Sequence, residues 1–290
     1  MGIAQRWIDV DGLQVRYLEG GRGDPLVLLH GAGADSAALS WKHTFGPLSQ
    51  VAHIYAPDLP GHGGSRMLPG PPTTEAFVEW LTRTLDAWGL RRVRLVGLSL
   101  GGAIALGHTL THPQRTERLV LVSSYGLQQR APLHAPVWLL ARLPGFERVL
   151  AWARLRRITP IVRLGLRFVV GEKRAITPDL LSDVSEAARS QNAARVFYAW
   201  LRTELQVGRL RTFYGERLHR VGVPTLIVHG ERDRLVPVEW ARRAAARMPN
   251  ARLCILAGCG HWPPRERPGQ FNRLLTDFLD GAGVPSLARR

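Results

Sequence analysis

The chain is short of cysteine, lysine and long apolar runs, and each shortage removes a class of protein. Two cysteines in 290 residues, Cys254 and Cys259, cannot staple a disulfide framework, so a hydrophobic core must carry the fold. The expectation is two small buried or half-buried thiols in a reducing cytoplasm. The chain contains no run of about 18 uninterrupted apolar residues, which argues against a transmembrane helix. Met1 to Val10 holds no apolar stretch of the secretory type, and Arg6 stands where a myristoylation signal needs Ser or Thr. Nor do His, Cys and acidic residues cluster at metal-ligand spacing, so neither metal nor organic cofactor is expected.

Lysine is nearly absent, with only Lys42 and Lys173. The formal charge of +16 and isoelectric point near 11.3 are therefore almost entirely arginine. The arginines scatter over the whole chain, and no nucleic-acid-binding module accompanies them. The reading is a compositional bias spread over a solvated surface, with no nucleic-acid partner. Attraction to anions stays open as a second reading. With 45% hydrophobic residues the chain can build a large core.

What is present is a strand-then-helix rhythm in two blocks. Short apolar runs at Pro25–His30, Ala52–Asp58, Arg92–Gly97 and Arg118–Ser123 read as strands buried on both faces. Thr74 to Trp88 and Leu100 to Thr111 between them have helical length and spacing. The rhythm resumes with strands at Thr225–His229 and Arg252–Leu256, and with helices at Val238–Met248 and Pro268–Leu279. Trp7–Val10 and Gln14–Leu18 flank Asp11-Gly12, the signature of a hairpin. These elements predict an α/β fold, a mostly parallel, doubly wound sheet with an antiparallel edge. From Gly126 to about Gly215 the pattern is helical, proline-rich and without a convincing strand. The expected organisation is a core at 1–125 and 216–290, with a helical cap at 126–215 inserted between its halves.

Gly97-Leu98-Ser99-Leu100-Gly101 lies directly between a strand and a helix. There a serine is held on a sharp turn with its oxygen above the sheet, and the helix N-terminus offers free N–H groups and a positive dipole end to an oxyanion. His30-Gly31-Ala32-Gly33 follows the neighbouring strand and can aim a second N–H at the same place. By position, the amides of Ala32 and Leu100 form the candidate oxyanion hole, with His30 bracing the loop. A serine hydroxyl needs a base. Of ten histidines, His261 stands out, in a loop between a strand and the last helix. Asp233, in the loop after another strand, is the acid to orient it, with Glu231 the weaker alternative. The candidate catalytic set is therefore Ser99, Asp233 and His261, with Gly31 and Trp262 as candidate substrate-facing residues.

Together these segments resemble the α/β-hydrolases along nearly the whole chain, in His30–Gly33, Asp58-Leu-Pro-Gly-His-Gly-Gly-Ser65, Gly97–Gly102, Gly230–Asp233 with Val236-Pro237, and Gly260-His261. The order Ser, Asp, His along the chain is the one that family uses. The tail, Cys259-Gly-His-Trp262 followed by Phe271-Asn-Arg-Leu274 and Phe278-Leu279, is similar to the meta-cleavage-product hydrolases, which split C–C bonds in dienoic ring-fission products. Two positions depart from that group: Leu98 stands where it carries Asn, and the place of its cap arginine falls near Val184. Ser99 in place of Asp argues against haloalkane dehalogenases and epoxide hydrolases.

The resemblance implies a serine hydrolase acting on small molecules, and the sparse cysteines make the cytoplasm its expected location. Hydrolysis of moderately hydrophobic carboxylic esters is the leading reading. C–C hydrolysis is the second, and a non-catalytic ligand-binding protein the third. Between Val137 and Val170, Trp138, Leu139, Leu140, Phe146, Trp152 and Phe168 mix with Arg142, Arg148, Arg154, Arg156, Arg157, Arg163 and Arg167. A plain amphipathic cap explains this mixture. Weak contact with an anionic membrane surface is the alternative. The sequence leaves the oligomeric state and the substrate open.

Overall fold

A computed structural model describes residues 2–132, 134–142 and 159–281. The strands, in chain order, are β1 (Ala4–Val10), β2 (Leu13–Gly21), β3 (Pro25–Leu29), β4 (His53–Pro57), β5 (Val93–Leu98), β6 (Thr116–Val122), β7 (Leu205–Gln206), β8 (Arg209–Leu210), β9 (Thr225–Gly230) and β10 (Ala251–Leu256). The helices are α1 (Ala37–Ser40), α2 (Phe45–Leu48), α3 (Thr74–Ala87), α4 (Leu100–Thr111), α5 (His134–Arg142) and α6 (residues 159–169). They continue with α7 (Pro178–Ala187), α8 (Gln191–Glu204), α9 (Val238–Arg247), α10 (Pro263–Glu266) and α11 (Pro268–Leu279).

Eight strands form one sheet in the order β1-β2-β4-β3-β5-β6-β9-β10. β1 and β2 pair antiparallel, as do β2 and β4, and every pairing from β4 to β10 is parallel. The hairpin at the edge turns on Asp11 and Gly12, both at positive φ, the conformation a two-residue turn of this kind requires. Because strand side chains alternate, one sheet separates two apolar layers. Val27, Leu29, Leu95, Leu119 and Leu121 face the layer filled by α3, α4 and α9 through Phe77, Trp80, Ile104 and Ala241. Leu26, Leu28, Val96, Val120 and Val122 face the layer of α1, α2 and α11, with Leu39, Phe45 and Phe271.

Between β6 and β9 no described residue joins this sheet. The segment holds helices and one departure from the sequence reading, the small antiparallel pair β7–β8. At two residues each, those strands are too short to register as an apolar run. Phe146, Trp152, Arg148, Arg154, Arg156 and Arg157 lie outside the described residues.

The insertion is knitted to the core through a carboxylate. Glu204, fully buried at the end of α8, accepts from the Thr74 hydroxyl (2.8 Å) and backbone amide (3.4 Å) at the start of α3. Its other oxygen accepts from the Tyr125 hydroxyl (2.8 Å) and the Thr212 amide (2.9 Å). A buried charge persists only with such a set of donors. Cys254 and Cys259 are free and buried, as expected. Among the described residues no helix is long and apolar enough to cross a membrane.

Candidate active site

The chain runs β3 to β4 on one side and then returns to place β5 on the other side of β3, so the sheet order reverses between β3 and β5. Ligands of open α/β sheets bind beyond the strand ends at such a point. Leu29 is in register with Gly97. The His30–Gly33 loop and the Ser99 turn therefore leave the sheet side by side.

Ser99 sits alone between the last residue of β5 and the first of α4, with φ 51° and ψ −114°. A non-glycine residue in that region is strained and is held only by its surroundings. The restraints are clear. The Ser99 amide donates to Val122 (2.9 Å), and its carbonyl accepts from Gly102 (3.0 Å), Ala103 (3.1 Å) and Tyr125 (3.0 Å). The flanking glycines are required by space. A Cβ on Gly101 would stand 2.3 Å from the Leu29 carbonyl oxygen, and one on Gly97 would stand 2.2 Å from the Gly101 oxygen.

In the loop after β3, the Gly31 amide is committed to Asp35 Oδ2 at 2.8 Å. Gly31 comes so close to Ser99 that a Cβ on it would lie 3.6 Å from the serine Cβ. The Ala32 and Leu100 amides donate no hydrogen bond to backbone among the described residues. One of these uncommitted N–H groups belongs to the residue after the serine, and the other to the residue after Gly31, which itself approaches Ser99. His30 is the brace the sequence suggested. Its Nδ1–H donates to the Gly31 carbonyl (2.7 Å) and its Nε2 accepts from the Leu59 amide (2.8 Å), which fixes the neutral tautomer. Burial pushes its pKa down to about 4.

Asp233 and His261 are brought together in the loops after β9 and β10. The His261 Nδ1–H donates to Asp233 Oδ2 at 2.8 Å, with both side chains nearly closed to solvent. Asp233 Oδ1 accepts from the amides of Leu235 and Val236, each at 2.9 Å. Burial opposes the Asp233 charge, but His261 and His229 overcome it and hold the carboxyl far below the usual range. For His261 burial likewise works against the charged ring. The charge and hydrogen bond of Asp233, joined by Glu266 and Asp35, outweigh it and raise the pKa above 6.5.

Several groups went unseen in the sequence. His229, on β9, places Nε2 3.3 Å from Asp233 Oδ2 and 2.7 Å from the Val236 carbonyl. Asp35 lies behind the His30–Gly33 loop and accepts from Gly31, from the Ser36 amide (2.7 Å) and from the Ser40 hydroxyl (2.7 and 2.9 Å). Burial drives its pKa up to about 6 against those hydrogen bonds. The Asp35 signal in sequence was slight, a short acidic side chain four residues past Gly31.

Some candidates are not joined. The Ser99 hydroxyl forms no hydrogen bond among the described residues, neither with His261 nor with any other group. Trp262 is 6% exposed and its indole N–H is spent on Ser40 (3.0 Å). Glu231 accepts from the Gly258 amide (2.9 Å) and acts on that turn. Among the described residues no group of His, Cys, Asp and Glu could hold a metal ion.

The 2-hydroxymuconate semialdehyde hydrolase of Pseudomonas putida is 29% identical over 271 residues, covering 92% of this chain and 91% of that protein. Among solved structures, the 2-hydroxy-6-oxo-6-phenylhexa-2,4-dienoate hydrolase of Rhodococcus sp. strain RHA1 superposes with a TM-score of 0.77 at 25% identity, over 96% of this chain and 99% of that one. A carboxylesterase of Bacillus subtilis superposes at 0.79 and 24% identity, over 97% and 93%, a likeness of fold. The model of the alpha/beta hydrolase family matches residues 26–274, a span that runs from β3 into α11, and the chain belongs to that family of hydrolases.

Proposed function

We propose that this protein is a serine hydrolase that cleaves carboxylic esters of moderately hydrophobic small molecules through an acyl-enzyme on Ser99. The observation that carries the reading is the strained Ser99 turn together with the uncommitted Ala32 and Leu100 amides. Nδ1 of His261 is held by Asp233, which leaves Nε2 to take the Ser99 proton as the oxygen attacks a carbonyl. The two amides receive the negative charge that develops on the carbonyl oxygen. The imidazolium, steadied by Asp233, then protonates the leaving alkoxide. Water repeats the cycle on the acyl-enzyme and releases the acid.

C–C cleavage remains the second reading, favoured by the names of the relatives. Two side chains weigh against it. Leu98 is 2% exposed and Val184, on α7, is 7% exposed, and both pack in the apolar layer that contains α11. Neither position offers a polar group to a dienoate acid. A series of p-nitrophenyl esters of graded acyl length separates the readings. Turnover that peaks at a medium acyl length is expected. A folded protein that ignores every ester and consumes dienoate ring-fission products would reverse the order.

The insertion supplies the natural roof for this site and the place for substrate selection. On α6, Ile161, Leu164 and Phe168 are 43%, 56% and 57% exposed, beside the exposed Arg163 and Arg167. A plain cap would turn such residues inward. Their outward placement supports weak association with an anionic membrane surface. Turnover of a lipophilic ester should rise several-fold on anionic vesicles compared with neutral ones, and equal rates would refute the association.

A further inference from the structure

Glu266 closes the four-residue helix α10 directly after the His261 loop, and its side chain is buried. Pro263 and Pro264 force the chain to turn at once after Trp262. The Arg265 and Glu266 amides both return to the Trp262 carbonyl (2.9 Å each), which carries the Glu266 carboxylate back over the loop it has just left. There it accepts from the Gly260 amide (2.9 and 3.1 Å) and the Trp262 amide (3.0 Å), the residues on either side of His261. The amide of His261 itself donates to the Val169 carbonyl at the end of α6 (2.7 Å). Three consecutive amides, 260 to 262, are thus all held.

The same carboxylate reaches the insertion. Glu266 Oε2 accepts from the Gly171 amide at 2.7 Å. The two backbones touch: a Cβ on Gly260 would stand 2.3 Å from the Gly171 nitrogen, and a Cβ on Gly171 would stand 2.4 Å from the Gly258 oxygen. Segment 169–171 and the His261 loop therefore form one unit with a buried carboxylate at its centre, satisfied mainly by backbone dipoles. The Cys259 thiol faces that carboxylate as well, and burial together with Glu266 keeps it protonated.

We infer that Glu266 is the positioning residue of the catalytic base, tying His261 to segment 169–171 so that the base is aligned with Ser99 only while the insertion is seated. This rests on the reading of His261 as base. Glu266 does not touch the reacting atoms. It fixes the backbone from which the imidazole projects, and misplacement of a base by about 1 Å lowers rates on the order of 10²-fold. The charged groups facing His261 are Asp233 from the loop after β9, Asp35 from the loop after β3, and Glu266.

The test uses a fluorophosphonate probe, which reads the activated nucleophile without knowledge of the substrate, beside p-nitrophenyl ester kinetics. Glu266→Gln keeps the volume but sets an NH2 group against amide donors and removes a negative charge. It should label about 10²-fold more slowly than the parent, with kcat lowered, KM within about threefold and the acid limb of kcat/KM moved to lower pH. Glu266→Asp restores the charge but not the reach, so its acid limb should stay near the parent's while kcat remains low. Gly171→Ala leaves the carboxylate in place and lifts the insertion off the loop. It should slow labelling with the acid limb unmoved. A folded Glu266→Gln that labels at the parent rate, or that loses only KM, overturns the role, and parent-rate labelling of Gly171→Ala overturns the coupling to the insertion. A parent that does not label at all overturns the catalytic reading of Ser99 and His261 instead.

Discussion

Replacing Ser99 with alanine should abolish ester turnover and leave the protein folded. The hydroxyl supports nothing structural, since it forms no hydrogen bond among the described residues. The strain at φ 51° belongs to the backbone and is the same for either residue. The turn stays pinned by the Val122, Gly102, Ala103 and Tyr125 hydrogen bonds, which involve main-chain atoms alone. The loss should be roughly 10⁴- to 10⁶-fold in kcat, the scale on which removal of a nucleophile acts in serine hydrolases. Thermal unfolding should be nearly unchanged. Turnover within tenfold of the parent would mean that another group attacks the carbonyl.

Asp233→Asn should be the second large loss, about 10³- to 10⁴-fold in kcat, by analogy with serine proteases whose triad aspartate is changed to asparagine. Every group that reaches Asp233 is a donor: the Leu235 and Val236 amides, His261 Nδ1 and His229 Nε2. An asparagine NH2 must face one of them, and the His261 ring either turns away or takes the wrong tautomer. The substitution also removes the main charge that raises the His261 pKa. The base acts when neutral, so a raised pKa places the acid limb of kcat/KM above pH 6.5 in the parent. Activity there rises with pH, and the limb should move down in the variant. An unchanged limb would show that Asp233 does not set the titration.

The parts of this site legible in the sequence are those encoded locally. The Ser99 turn needs a strand, glycines two residues to either side and a helix, all within Val93–Thr111. The parallel sheet announced itself because strands covered on both faces are apolar throughout. The Asp233–His261 pair was reachable because each residue lies in the loop just after a strand, although they stand 28 positions apart. The rest depends on distant packing. Glu204 meets Thr74 from 130 positions away and Trp262 meets Ser40 from 222, so neither carries a periodic or motif signal. His229 looked like one more apolar-strand residue, yet it clamps the acid. Glu266 had a faint local mark, an acid five residues past His261 in the turn that opens the last helices. Its partner Gly171 lies 95 positions earlier, in a stretch that sequence pattern could describe only as helical and proline-rich.

The most direct test is the site of covalent attachment. The protein is mixed with a p-nitrophenyl ester, quenched in acid within a turnover and digested for mass spectrometry. The account predicts a single acyl group on the peptide that contains Ser99, and none in Ser99→Ala. An acyl group on another residue, or turnover with no adduct that persists in Ser99→Ala, would contradict it.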